Sequence, residues 1–197
     1  LTPALCRATP EANDDATRTR ISLVEAARAR KDSLFRHDPN SPLPAETRNS
    51  FDGLSYFPVD VEYRLIGDLH RYGRPRIVRL TSNTGSFIEI ERFGRFVFEF
   101  RGDTWMLEIV RSVEEGELSV FFTDRTNGSE TYSGGRYARL RPEEEGRYAL
   151  DLNEAYNPYC TYNAAYICPL PPAQNNLPFE IRSGERDFET SGPDLAR

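Results

Sequence analysis

Between Val59 and Leu152, apolar residues recur at every second position, and this alternation restricts the chain to antiparallel β architectures. Val61-Tyr63-Leu65 opens the series, followed by Ile77-Val78 with Leu80, Phe87-Ile88-Ile90, Phe96-Phe98-Phe100 and Trp105-Leu107-Ile109. Leu118-Val120-Phe122, Tyr137-Leu140 and Tyr148-Leu150 complete the set. Gly94, Arg101-Gly102-Asp103 and Glu114-Glu115-Gly116-Glu117 punctuate these runs as hairpin turns would. Period-two runs give each strand one apolar face, and many short strands at regular spacing bury such faces in an antiparallel sandwich or closed barrel. No helical pattern alternates with the strands, so a parallel sheet is not expected.

One helix precedes this region. Ile21, Val24, Ala27, Lys31 and Leu34 recur at spacings of three and four, in a stretch from about Ala16 to Phe35 that is rich in alanine. It should stop before Asp38-Pro39, because the residue preceding a proline is driven out of the α region. The polar residues 1–16 and 190–197 read as flexible tails around a single domain over 17–189. Tyr156 to Leu177, interrupted by Pro158, Pro169, Pro171 and Pro172, reads as a long irregular strap crossing one end of the barrel.

With 197 residues, 38% hydrophobic and 12% aromatic, the chain can bury a core without staples. Its net charge of −6 argues against a nucleic-acid partner. Arginine is abundant while Lys31 is the only lysine, a bias that base composition or salt adaptation explains. No apolar run reaches the roughly 20 residues of a membrane span. The default compartment is the cytoplasm; Leu1 is not a natural start residue, which is compatible with removal of a preceding segment. His37 and His70 lack metal-motif spacing, and Cys160 with Cys168 provides only two of the four ligands a zinc site needs, so neither a metal nor another cofactor is expected.

The chemistry concentrates between Asp124 and Glu185. In Thr131-Tyr132-Ser133-Gly134-Gly135-Arg136, the glycines permit close backbone approach and Arg136 offers a forked donor for a carboxylate or phosphate. The same arginine would equally pair with an interior acid, Asp124 or Asp151. Strand parity places Asp151 and Asn153 together, opposite Leu150 and Leu152, on a face that is either solvent or barrel interior. Asp151 is there a candidate general base or the anchor of Arg136.

These motifs carry a resemblance. Asp124-Arg125-Thr126-Asn127-Gly128, Thr131-Tyr132 and Gly135-Arg136 resemble the D-x-T-x-G-x-x-T-Y-x-x-G-R pattern of the bacterial and archaeal domain-of-unknown-function 1684 family. Asp151-Leu152-Asn153-Glu154-Ala155-Tyr156-Asn157-Pro158, Cys168-Pro169-Leu170-Pro171-Pro172 and Ser183-Gly184-Glu185 continue it, and Phe51-Asp52-Gly53-Leu54-Ser55-Tyr56-Phe57-Pro58 is similar to an upstream family motif. The resemblance spans roughly residues 25–186 and implies a fold family and candidate positions, not a reaction. Longer relatives carry an amino-terminal forkhead-associated-like half that is not expected here. Where relatives show Glu-Asn, this chain has Gln174-Asn175, which marks the first position as structural and leaves Glu185 as the better acidic candidate.

Tyr132, Arg136, Asp151, Asn153, Tyr156, Asn157 and Glu185 thus form a candidate pocket for a small polar or anionic ligand. An enzyme would use Asp151 or Glu185 as acid/base, Tyr132 or Tyr156 as hydrogen-bond donor, and Arg136, with Asn153 and Asn157, to hold substrate. A binding protein would use the same cavity without a poised base. A closed barrel filled by side chains would favour a third class, a structural or partner-binding module. Finally, the seven residues between Cys160 and Cys168 let the chain fold back far enough for a disulfide, while Cys6 is expected to stay unpaired.

Overall fold

A computed structural model of the chain describes residues 10–112 and 116–188. Antiparallel strands β1 (Arg64–Thr81), β2 (Phe87–Phe100), β3 (Asp103–Arg111), β4 (Leu118–Phe122), β5 (Arg136–Pro142) and β6 (Tyr148–Asp151) close into a barrel in chain order. Helix α1 (Pro10–His37) and the single turn α2 (Ala45–Arg48) precede it. The mainly β fold with one long amino-terminal helix is as the alternation implies. The bounds of α1 take in residues 10–16, which the sequence reads as a tail. It ends at His37, before Asp38-Pro39. Residues 1–9, with Cys6, the carboxyl-terminal tail and Glu114 and Glu115 of the turn at Glu114–Glu117 lie outside the described residues.

The eight apolar runs become six strands because the turn expected at Gly94 and the break between the first two runs are both bends within strands. Arg71 pairs with Gly94 and Arg76 with Arg92, so residues 72–75 of β1 bulge opposite Phe93 alone. Pro75 is tolerated there because a bulged residue donates no ladder hydrogen bond. A Cβ on Gly94 would lie 2.5 Å from the His70 carbonyl oxygen; the glycine allows this close approach and is not a hairpin turn. Arg101-Gly102, with φ of 53° and 87°, is the two-residue type I′ connection its sequence suggests.

Phe96, Phe98, Leu107, Ile109, Val120, Phe122 and Leu150 fill the barrel, each at most 2% exposed. At about 1.5–3 kcal/mol per large apolar side chain, this packing is the principal source of stability. Within 152–188 the chain forms short 3-10 turns and isolated bridges and contributes no ladder to the sheet. Its Leu177, Phe179 and Ile181 pack on the barrel core, with Phe179 4.8 Å from Trp105 and 5.4 Å from Phe100 at one mouth.

Asn175 holds the strap in place. β3 and β4 pair over Val110–Ser119 and Arg111–Leu118 and then part. In the gap, Asn175 Oδ1 accepts from the Glu108 amide (2.7 Å), while Nδ2 donates to the Glu108 and Phe121 carbonyls (2.9 and 2.8 Å). One side chain thereby satisfies backbone groups of both strands that the sheet leaves unpaired.

Candidate functional site

Arg20, Val24, Arg28, Lys31 and Phe35 follow one another at spacings of three and four, and therefore occupy one face of α1. This face meets the barrel, displaced from the more apolar stripe expected at Ile21–Leu34; Leu34 is 52% exposed. Val24 and Phe35 are buried on this face, and carboxylates of the barrel and its strap meet the cations beside them. Arg20 pairs with Asp151 and with Glu154 (2.8 Å). Arg28 donates to the Phe57 and Asn153 carbonyls at 2.8 and 3.0 Å. Lys31 pairs with Glu185.

Glu185 is held from both sides by backbone. Its amide donates to the Ala155 carbonyl (2.9 Å), and the neighbouring Gly184 carbonyl accepts from Phe57 (3.0 Å). Gly184 has φ of +76°, and a Cβ there would sit 2.6 Å from the Ala155 oxygen and 2.7 Å from that of Leu152. Only glycine combines this conformation with this proximity. The Glu185 side chain, 2% exposed, then projects to α1. Oε1 accepts from Lys31 Nζ, and Oε2 accepts from the Asn157 amide (2.8 Å) and from the Tyr162 hydroxyl. Burial and the adjacent Glu185 carboxylate hold the Tyr162 phenol neutral, with its pKa well above the usual value.

Lys31 Nζ lies 5.1 Å from the ring centroids of Phe35 and Tyr156 and 5.9 Å from that of Tyr162. The ammonium is thus enclosed by three aromatic faces and a carboxylate. It lines a cleft of about 400 Å³ between α1 and the barrel. Cations Arg28, Lys31, Arg139 and Arg141 face carboxylates Asp38, Glu154 and Glu185 across it, and Val24, Leu34, Phe35 and Pro42 supply apolar wall. Beside the cleft, Asp32 accepts from the Leu54 amide and the Tyr56 hydroxyl, both at 3.2 Å. Burial nonetheless raises the Asp32 pKa. Burial likewise pushes the Tyr156 phenol up to about 12.

Of the residues singled out in the sequence, the structure brings Asn153, Tyr156 and Glu185 to the cleft wall. Asp151 lies behind it, accepting from both the backbone and side-chain nitrogens of Asn153 (2.9 Å each) and from Arg20. Asn157 orients Glu185 and donates to the Arg186 carbonyl at 2.8 Å. Tyr132 is elsewhere, its hydroxyl 3.9 Å from Cys160 Sγ, and burial lifts its pKa to about 12. Arg136 is not on the cleft. It is wholly buried, paired with Asp124 (2.8 Å) and donating to the carbonyls of Ile181, Ser183 and Glu185. Its forked donors bind the chain's own carboxyl-terminal segment, because an unpaired guanidinium could not be buried at 0% exposure. Cys160 and Cys168 are free thiols, with the Cys160 amide donating to Cys168 Sγ at 3.3 Å.

The sequence reading missed Arg28, Lys31, Phe35, Tyr56 and Tyr162. A usable signal was present: three cations placed at helical spacing among few apolar residues, one of them the only lysine. Among the described residues, no three His, Cys, Asp or Glu side chains gather as metal donors, and no helix is long and apolar enough to cross a membrane.

The chain is similar to an uncharacterized protein from gene locus rrnAC0354 of Haloarcula marismortui, known from a solution NMR structure. The two share 34% identity and superpose with a TM-score of 0.67 over 88% of this chain and 97% of the other. No curated protein matches. The family model described as "Protein of unknown function (DUF1684)" matches residues 49–186, which include Tyr56, Asn153, Tyr156, Tyr162 and Glu185. The cleft is thus formed between an α1 that precedes the matched region and a wall that lies within it, and the chain belongs to the DUF1684 family.

Proposed function

We propose that the protein binds a small organic acid in the cleft between α1 and the barrel, without transforming it. The observation that carries this reading is the placement of Lys31, the only lysine, against three aromatic rings and Glu185 on the wall of that cleft. One ammonium N–H is engaged by Glu185, which leaves donors for a ligand carboxylate. Four cations against three carboxylates favour a negative charge, and Leu34, Phe35 and Pro42 suit an apolar body.

Binding is favoured over acid–base catalysis by the state of the two candidate bases. A carboxylate has about four lone-pair sites. Asp151 spends them on Arg20 and Asn153, and Glu185 accepts from Lys31, Asn157 and Tyr162. Asp151 is thereby saturated, and Glu185 keeps one lone pair, on the Oε1 that already holds Lys31. A second reading, a structural or partner-binding module, is supported by the side-chain-filled barrel and by the ion pairs that staple α1 to it.

Ligand-observed NMR and thermal-shift titration with a panel of aliphatic and aromatic monocarboxylates tests the reading. Saturable binding that Lys31→Met weakens by about tenfold or more, in a variant of unchanged circular dichroism, supports it. Absence of binding across the panel favours the module. Turnover of any panel member with a carboxylate-range pH profile would restore the catalytic reading.

A further inference from the structure

The bulge between β1 and β2 builds a second concavity, remote in its residues from the α1 cleft. Its wall of Tyr72, Gly73, Arg74, Arg76, Arg92 and Arg95 surrounds about 600 Å³ and contains four arginines and no acid. Two of these are fixed in advance. Arg92 grips the buried Glu108 carboxylate through Nε (2.7 Å) and NH2 (3.0 Å). Arg95 Nε donates to the Tyr72 hydroxyl at 2.8 Å, and the Arg92 and Arg95 guanidinia lie 5.4 and 5.6 Å from the Tyr72 ring centroid. The side chains of Arg74 and Arg76 are exposed and have no partner among the described residues.

The pairing itself is unusual. Arg76 and Arg92 are directly opposite each other in the β1–β2 ladder, and like charges in that relation destabilise a sheet. Glu108 offsets Arg92, but no acid on the wall offsets Arg74, Arg76 or Arg95. An anion in the concavity would. Guanidinium forks held by packing match phosphate oxygens two at a time and lose little freedom on binding. A single carboxylate would leave most of this charge unmatched. A long polyanion would meet the repulsion of a chain carrying −6 overall.

We propose that the arginine cradle in the β1 bulge is a binding site for a small phosphorylated molecule that carries at least two negative charges. Arg92 and Arg95 form its preset floor, and Arg74 and Arg76 close on the phosphate from the bulge. The site is independent of the α1 cleft and takes a different chemistry.

Isothermal titration of the full chain with pyrophosphate at low ionic strength, where screening is weakest, reads the site directly. Saturable binding is expected, weakened by about tenfold or more in Arg74→Ala/Arg76→Ala. Both arginines are exposed, so that variant should fold. Arg79→Ala, which removes only an exposed pair with Glu89 further along β1, and Lys31→Met, in the other cleft, should each leave pyrophosphate affinity unchanged. No saturation up to about 10 mM, or equal affinity in Arg74→Ala/Arg76→Ala, overturns the proposal. Tighter binding of a single-stranded oligonucleotide than of pyrophosphate overturns the assignment to a small ligand.

Discussion

Arg136 and Asp124 form an ion pair at 2.8 Å in which both side chains are wholly shielded from solvent. Asp124 Oδ1 also accepts from the Thr126 amide (2.9 Å) and the Ile181 amide (3.1 Å), while Arg136 reaches three carbonyls between Ile181 and Glu185. The pair therefore anchors the carboxyl-terminal segment to the first residue of β5. It also sets where Glu185 can stand.

Arg136→Ala should destabilise the fold by about 3–5 kcal/mol, since it leaves the buried Asp124 charge unmatched. Chemical denaturation with an unchanged slope is the measurement. A melting temperature within a degree or two of wild type would show that the pair does not anchor this segment.

Asn175→Ala should cost about 1–3 kcal/mol by freeing backbone groups of β3 and β4. Asn175→Asp should cost at least as much, because it would set a carboxylate against the Glu108 and Phe121 carbonyls. Amide exchange should accelerate at Glu108 in both variants. Asn175→Asp as stable as wild type would mean that the Asn175 side chain does not hold β3 and β4 together.

The pH dependence of stability should carry a signature of Asp32. Burial raises its folded-state pKa above the ordinary 3.8, so the fold favours the protonated form. Its contribution is then fully present below that ordinary value and is lost as pH rises through the folded-state value. Asp32→Asn keeps an acceptor for Leu54 and Tyr56 and removes the charge. Its melting temperature should therefore gain on wild type between about pH 3 and pH 7. A constant offset across that range would contradict the assignment.

Cys160 and Cys168 should remain thiols in protein purified without oxidant. Burial pushes the Cys168 pKa up to about 12, and the thiolate is the species that attacks in disulfide exchange. Titration of denatured, unreduced protein should return three thiols, including Cys6. One reactive thiol, located at Cys6, would mean that the loop has closed.

The alternation from Val59 to Leu152 sufficed to specify antiparallel strands packed as a sandwich or a closed barrel, because a period of two states which side of each strand faces inward without reference to any other strand; closure came from the pairing of β1 with β6. Asp38-Pro39 likewise ended α1 through local sterics alone. The motifs located the polar centre and three members of the cleft wall, Asn153, Tyr156 and Glu185. What local pattern could not decide was pairing across long sequence distances. Whether Arg136 would face a ligand or Asp124 depended on how the segment from Ile181 to Glu185 crossed beneath β5. That Lys31 would meet Glu185, 154 residues away, depended on the azimuth at which α1 docked. That azimuth buries Val24 and Phe35 beside the ion pairs of Arg20 and Lys31 and leaves Leu34 of the expected stripe exposed. A side chain's type limits the partners it can take, but only the closed barrel and the path of its strap bring one of those partners within reach.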